Sequence, residues 1–455
     1  MLIRFKVENF TSFGERQEFS LIPGRTTLKS EHKTLPVNGI STLKTSLIYG
    51  ANASGKSNLT KAIAFGQRLV LKGTKADSPI DFQNFRLDKS FSRADSRIEY
   101  EIQHRGKNYA YGFVFNREKI VEEWLYEVKK TSEVKLFERD NRKEEPFDLE
   151  YFFKLNSKVE EKQFLTFIAK STPDNQLFLT EIRERKTKGN VSNIDDLMNV
   201  IDWFYNSLNV LSPEGKYKQG LKFEIQNNQD VLKVFQELLD YFDTGIHGIS
   251  FEDVDRSKVD LPDEVLSAIE NEIFNVESQA KGGIMSSKNN TYIISKSENG
   301  FIYQKFMTKH RIKGSNEFEL FDSKDLSDGT NRIIDFIPLL MDLMKGDNVF
   351  VVDEMERSLH PNIIYDLIDF FTSRAGKINS QLIVASHEST LLTQKLLRKD
   401  EIWFVTKDDS GASRLHSLEE YDVRFDKEIR KDYLLGRFRG VPHLGNRNKI
   451  TVIPN

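Results

Sequence analysis

No cysteine occurs anywhere in the 455 residues. Disulfides, cysteine-ligated zinc, iron–sulfur clusters and a cysteine nucleophile are thereby excluded, and a reducing, cytoplasmic setting is the expectation. An excess of one charge is missing too: 66 Lys and Arg against 69 Asp and Glu leave a net −3. That balance argues against coating nucleic acid by bulk charge, while a local basic groove stays open. Long apolar runs are also absent. The most apolar segment, 333–344, is broken by Asp335 and Asp342, so no membrane partner is expected. The first eight residues alternate apolar with charged side chains, the pattern of a strand rather than of an export signal.

What is present is enough chain for one large domain with an insertion, or for two to three domains. Residues 3–7, 17–21 and 46–49 read as strands, the last running into Gly50 with a helical pattern (Leu59, Ala62, Ile63, Phe65) beyond Ser57. Three alternating segments, 98–102, 109–115 and 124–128, predict an antiparallel meander. From about 150 to 280 the pattern is mostly helical, without sustained heptads. Strand-like runs at 292–294, 301–303 and 318–321 follow. A helix from Asn331, a buried strand at 349–352, a helix from Pro361 and a buried strand at 381–385 come next. Such alternation implies a parallel sheet with helices on its faces. The reading divides the chain into 1–148, a mostly helical insertion at 149–290, and 291–455.

Gly50-Ala51-Asn52-Ala53-Ser54-Gly55-Lys56-Ser57 fits G-x-x-x-x-G-K-[ST]. Glycines let backbone N–H groups close around phosphate oxygens, and the following helix N-terminus adds a favourable dipole. Lys56 would reach the outer phosphates and Ser57 would ligate Mg²⁺; Asn52, Ala53, Ser54 and Asn58 complete the phosphate-binding set. The strand 349–352 ends in Asp353 and Glu354. An apolar strand delivering Asp at its end suits a Mg²⁺ ligand, and Glu354 would polarise an attacking water. Leu326-Ser327-Asp328-Gly329-Thr330 places a hydroxyl and a glycine at a helix N-terminus, where phosphate binds, although a plain N-cap reads the same way. Ser386-His387 follows the next buried strand, and Ser358-Leu359-His360-Pro361 follows the acidic pair, with His360 read as capping its turn. Gln83 lies between the glycine loop's helix and the meander, where a surface polar residue reads equally well.

This ordered set resembles the ABC-type ATPases of the RecF/SMC/OLD group. Ser327 and Gly329 stand where those heads carry their signature, Ser358–Pro361 their D-loop, His387 their switch histidine, and Gln83 where they place the Q-loop glutamine, which would make it a metal ligand beside Ser57 and Asp353. The opening Asn9-Phe10-Thr11-Ser12-Phe13 is similar to their first turn. The Tyr49–Ser57 wording, the run from Asp353 to Pro361 and a late Gly436-Arg437-Phe438 resemble stand-alone abortive-infection ATPases of the AbiL/RloA type. The resemblance implies an α/β P-loop ABC-ATPase head with a mixed sheet, an antiparallel β lobe and a mostly helical insertion. It also implies ATP and Mg²⁺ as cofactors, Glu354 and His387 as catalytic residues, and a homodimer or higher homo-oligomer sandwiching ATP between heads.

Two functions follow as expectations. One is a sensor or scaffold ATPase of an anti-phage system that controls a separate effector encoded nearby, such as a TOPRIM nuclease or toxin. Asp408-Asp409, an acidic pair after His387 that such a nuclease site would need, reads as a hairpin turn and not a metal site. The alternative is a RecF/SMC-like DNA-binding ATPase in repair. The basic stretch 424–449, with Tyr433 and Phe438 interleaved, favours it, unless that stretch is a tail packed on the head.

Overall fold

Runs of β-branched and aromatic residues resolve, among the described residues, into three sheets. The computed structural model of the chain describes all residues except 76, 156–157, 186–190, 216, 218–224, 226–227, 276–281, 288–289, 298–299, 422–427 and 442–455. Two units form: Met1–Pro213 with Leu343–Glu356 and Tyr365–Asn455, and Glu214–Asp342 with Arg357–Ile364.

In the first unit a six-stranded mixed sheet runs in the order Ser413–Ser417, Ile402–Lys407, Thr45–Tyr49, Gln381–Ala385, Val349–Asp353, Leu208–Leu211. All neighbours are parallel except the first pair, an antiparallel hairpin. Thr45–Tyr49, Val349–Asp353 and Gln381–Ala385 are buried at every position, which is why they read as continuous apolar runs. The helix Lys56–Lys72 buries Leu59, Ala62, Ile63, Leu69 and Val70; each large side chain of this kind contributes ~1.5–3 kcal/mol. Asp353 pairs in register with Ala385, and Ala385 with Ile48. The residues after these strands therefore leave the sheet along one edge, where ligands of open α/β sheets bind.

The second sheet of this unit is wholly antiparallel: Gln17–Ser20, Leu2–Glu8, Ser96–His104, Lys107–Phe115, Ile120–Val128, Glu133–Asp140 and Phe147–Asp148. The meander is longer than its sequence pattern suggests. A register shift between Leu125 and Tyr126 puts both Leu136 and Phe137 in the core, breaking the alternation that would have marked Glu133–Asp140 as a strand.

The second unit carries the sheet Gly248–Asp253, Gly300–Arg311, Thr291–Ser297, Gly282–Ser286, with Phe318–Phe321 also paired to Gly300–Arg311. Its core includes Val259, Leu266, Tyr292, Ile294 and Tyr303. The stretch 149–290 is thus shared between the units, the division falling after Pro213. It holds helices (Val159–Ser171, Gln229–Tyr241 and Asp263–Asn275 are the longest described), together with the strands Leu208–Leu211, Gly248–Asp253 and Gly282–Ser286. Among the described residues no helix is long and apolar enough to cross a membrane.

Candidate nucleotide site

The glycine loop leaves Thr45–Tyr49 and enters the helix Lys56–Lys72 through Gly55, whose φ of 119° a side chain rarely adopts. A Cβ at Gly55 would stand 2.2 Å from Ser413 Oγ, and one at Gly50 would stand 2.4 Å from the Val405 carbonyl oxygen. Both glycines are therefore fixed by the backbone's close approach to the neighbouring hairpin. Ala53 also has positive φ, 61°, while Asn52 and Ala53 face solvent. Lys56 is buried and donates to the Gly50 carbonyl at 2.7 Å and the Ala51 carbonyl at 3.3 Å. Burial lowers its ammonium to about 8, against the opposing pull of Asp353, Glu356 and Glu354.

Across the strand ends, Asp353 is 3% exposed. Burial raises its pKa, and the Ser57 side chain, hydrogen-bonded to it, works the other way. Its Oδ1 is buried without a partner, as is Ser54 Oγ. Glu354 sits at φ 49°, a conformation that costs a non-glycine residue about 1–3 kcal/mol and concentrates at functional sites. The bond from its N–H to the Ala385 carbonyl (3.0 Å) holds it there. His387 Nδ1 lies 3.4 Å from Lys56 Nζ; burial, then the lysine's charge, lower the imidazole pKa. Lys56, Ser57, Asp353, Glu354 and His387 thus gather on one sheet edge.

Three residues absent from the sequence-derived set support the site, two of them at the loop. Asn58 Nδ2 donates to Ser12 Oγ (2.8 Å), Ser12 Oγ lies 2.7 Å from Ser413 Oγ, and Ser413 donates to the Ser54 carbonyl at 2.6 Å. Glu356 accepts a hydrogen bond from the His387 N–H. Ser12 and Glu356 lie inside runs already quoted; Ser413 has no local signal, and only the fold brings it to residue 54. Gln83 is exposed, and its carbonyl accepts from the Thr11 N–H at 2.7 Å, so its backbone is tied to the residue beside Ser12.

Ser327 and Gly329 belong to the second unit. Ser327 Oγ accepts from the Thr330 N–H (3.1 Å), capping the helix Asp328–Lys345. A Cβ at Gly329 would meet the Ser358 carbonyl oxygen at 2.8 Å, so this glycine lets the helix start approach the turn 358–360. His360 caps the next helix: its Nδ1 accepts from the Asn362 N–H at 3.2 Å.

At the hairpin turn, Asp408 Oδ1 accepts from the N–H groups of Ser410 and Ala412, and Arg414 Nε donates to Oδ2. Much of the basic stretch 424–449 lies outside the described residues. Within it, Tyr433 and Phe438 are buried and stack on Phe404 at centroid distances of 5.8 and 5.0 Å, so neither is free to stack on a base.

A glycine cradle with no room for Cβ atoms, a buried lysine, and an unsatisfied buried carboxylate oxygen beside a serine hydroxyl fit a nucleoside triphosphate with Mg²⁺. The fold is α/β, with a mixed, mostly parallel sheet behind the glycine loop and an antiparallel β lobe. Residues 46–393 match the family described as "AAA domain, putative AbiEii toxin, Type IV TA system", and the chain belongs to that family. Among solved structures, the SmcHead bound to the C-winged helix domain of ScpA is similar at 12% identity and TM-score 0.39, covering 91% of this chain and 97% of that one. The SMC head domain from Thermotoga maritima is similar at 12% identity and TM-score 0.35, over 91% and 98%. No curated protein matches the chain at a significant level.

Proposed function

We propose that the chain is an ATPase head that binds ATP at residues 50–57, pairs with a second copy around it, and hydrolyses it. The observation that carries the reading is the juxtaposition of Lys56, Ser57, Asp353, Glu354 and His387 on one sheet edge. Ser57 and Asp353 would hold Mg²⁺, with Gln83 as a third ligand. The ion supplies neutralisation of phosphate charge. Lys56 binds the outer phosphates, Glu354 orients and deprotonates water, and His387 senses the terminal phosphate beside Lys56. Ser327 and Gly329 complete the site of the other copy, so hydrolysis reports assembly.

In the cell this head acts in the cytoplasm as sensor or scaffold of an anti-phage, abortive-infection system of the AbiL/RloA type. It controls a separate effector. Membership of a family described by a toxin–antitoxin system supports that setting. The test is phosphate release by wild type and K56A, with native mass measured with and without ATP in the presence of the co-expressed genomic neighbour. ATP-dependent assembly that retains the neighbour supports the defence reading. A chain that ignores the neighbour but hydrolyses faster with DNA points to the repair ATPase instead.

A further inference from the structure

Two residues beyond Glu354 the chain places a carboxylate with no assigned task. Glu356 Oε1 accepts the backbone N–H of His387, while its Oε2 is buried and without a partner. The Glu354 N–H is bonded to the Ala385 carbonyl at 3.0 Å, and the Ser386 N–H to the Ile48 carbonyl at 3.0 Å. The turn after the acidic pair is therefore stitched to the end of Gln381–Ala385 at two points, one main chain and one through Glu356. The peptide so fixed carries the imidazole that stands 3.4 Å from Lys56 Nζ.

The backbone N–H of residue 387 lies beyond the last ladder position of its strand and would otherwise be left to solvent, which holds no fixed geometry. A carboxylate acceptor gives the stronger, charge-assisted bond. The sheet register ends at Ala385 and the bond to Ile48 holds Ser386, so neither fixes the peptide of His387 itself. Glu356 supplies the remaining constraint.

We infer that Glu356 is the positioning residue for His387, holding the sensor's backbone to the acidic turn so that movement at either is felt by the other. The inference rests on the ATPase reading above. Glu356 acts through a main-chain donor, so removing the His387 side chain leaves its hydrogen bond in place but abolishes its purpose.

The experiment is steady-state ATP hydrolysis by wild type, K56A, E356A, E356Q, H387A and E356A/H387A, with ATP affinity and melting temperature for each. E356A should lower kcat about tenfold or more, as loss of orientation does, with KM within about threefold. E356Q keeps an oxygen acceptor and should recover most of that loss. On the H387A background E356A should add less than about twofold, the non-additivity of residues acting as one unit. If E356A does not fold, E356M, which fills similar volume without an acceptor, takes its place throughout. Full additivity with H387A, a wild-type rate in E356A, or E356Q as slow as E356A overturns the inference while the ATPase reading stands. A wild type no faster than K56A overturns both.

Discussion

His387 Nδ1 lies 3.4 Å from Lys56 Nζ, although 331 positions separate the two residues in sequence. Lys56 is meanwhile held by the carbonyls of its own loop. Adjacent strands of one sheet bring them together, and the carboxylates of Asp353 and Glu354 act on both electrostatically.

Glu354→Gln keeps the side chain's size and removes its capacity to take a proton from water. ATP hydrolysis should fall at least about a hundredfold, the scale of general-base loss, while ATP affinity measured by calorimetry stays within a few-fold. Normal turnover by this variant would remove Glu354 from the chemistry.

Lys56 titrates at about 8 because burial disfavours its charge. Below that pH the ammonium is present and attracts phosphate; above it the free protein holds a neutral amine. ATP affinity should therefore be flat from about pH 6.5 to 7.5 and decline above about 8, by up to tenfold per pH unit. Lys56→Arg, whose guanidinium stays charged, should abolish that decline even if it binds more weakly. A wild-type profile flat to pH 9.5 would refute the assignment.

Gly329→Ala drives a Cβ to 2.8 Å from the Ser358 carbonyl, so the helix start or the turn 358–360 must shift. ATP binding should survive, since residues 50–57 lie in the other unit. Hydrolysis should drop about tenfold or more, and ATP-dependent dimerisation should be lost by light scattering. Wild-type hydrolysis would mean that Ser327 and Gly329 serve only as the cap seen here.

Asp322 opposes Lys305 at 2.7 Å and Lys324 at 3.1 Å. Burial alone would raise its pKa, but hydrogen bonds from the two lysines hold it at about 2. A folded pKa below the unfolded value gives stability that is full above about pH 4 and lost as pH falls toward 2. The linkage is worth about 2 kcal/mol. Asp322→Asn should remove that pH dependence in urea titrations between pH 2.5 and 5; an unchanged slope would contradict it.

Much of this was legible because local pattern carries it. Residues 50–57 and the run into Asp353 combine turn chemistry with buried strands, and both survive translation into structure. Leu208–Leu211 was not legible: three apolar residues interrupted by Asn209 show no strand period, and only pairing with Val349–Asp353 makes the segment a strand. Glu133–Asp140 was hidden by the bulge that buries two neighbours in succession. Ser413 became a support of the loop only through its hydrogen bond to residue 54. Tyr433 and Phe438 read as candidates for base stacking, yet Phe404 takes their faces.

The strand Thr45–Tyr49 lies between Gln381–Ala385 and Ile402–Lys407, and this arrangement bears on biosynthesis. A nascent chain exposes its glycine loop early, then waits for both flanking strands. At ~5–20 residues per second the gap before residue 381 lasts roughly 15–70 s. During that interval the apolar edges of Thr45–Tyr49 have no lawful neighbour, so the segment is a natural client for chaperones. A message truncated before residue 381 would yield a protein with the phosphate-binding letters and no nucleotide site.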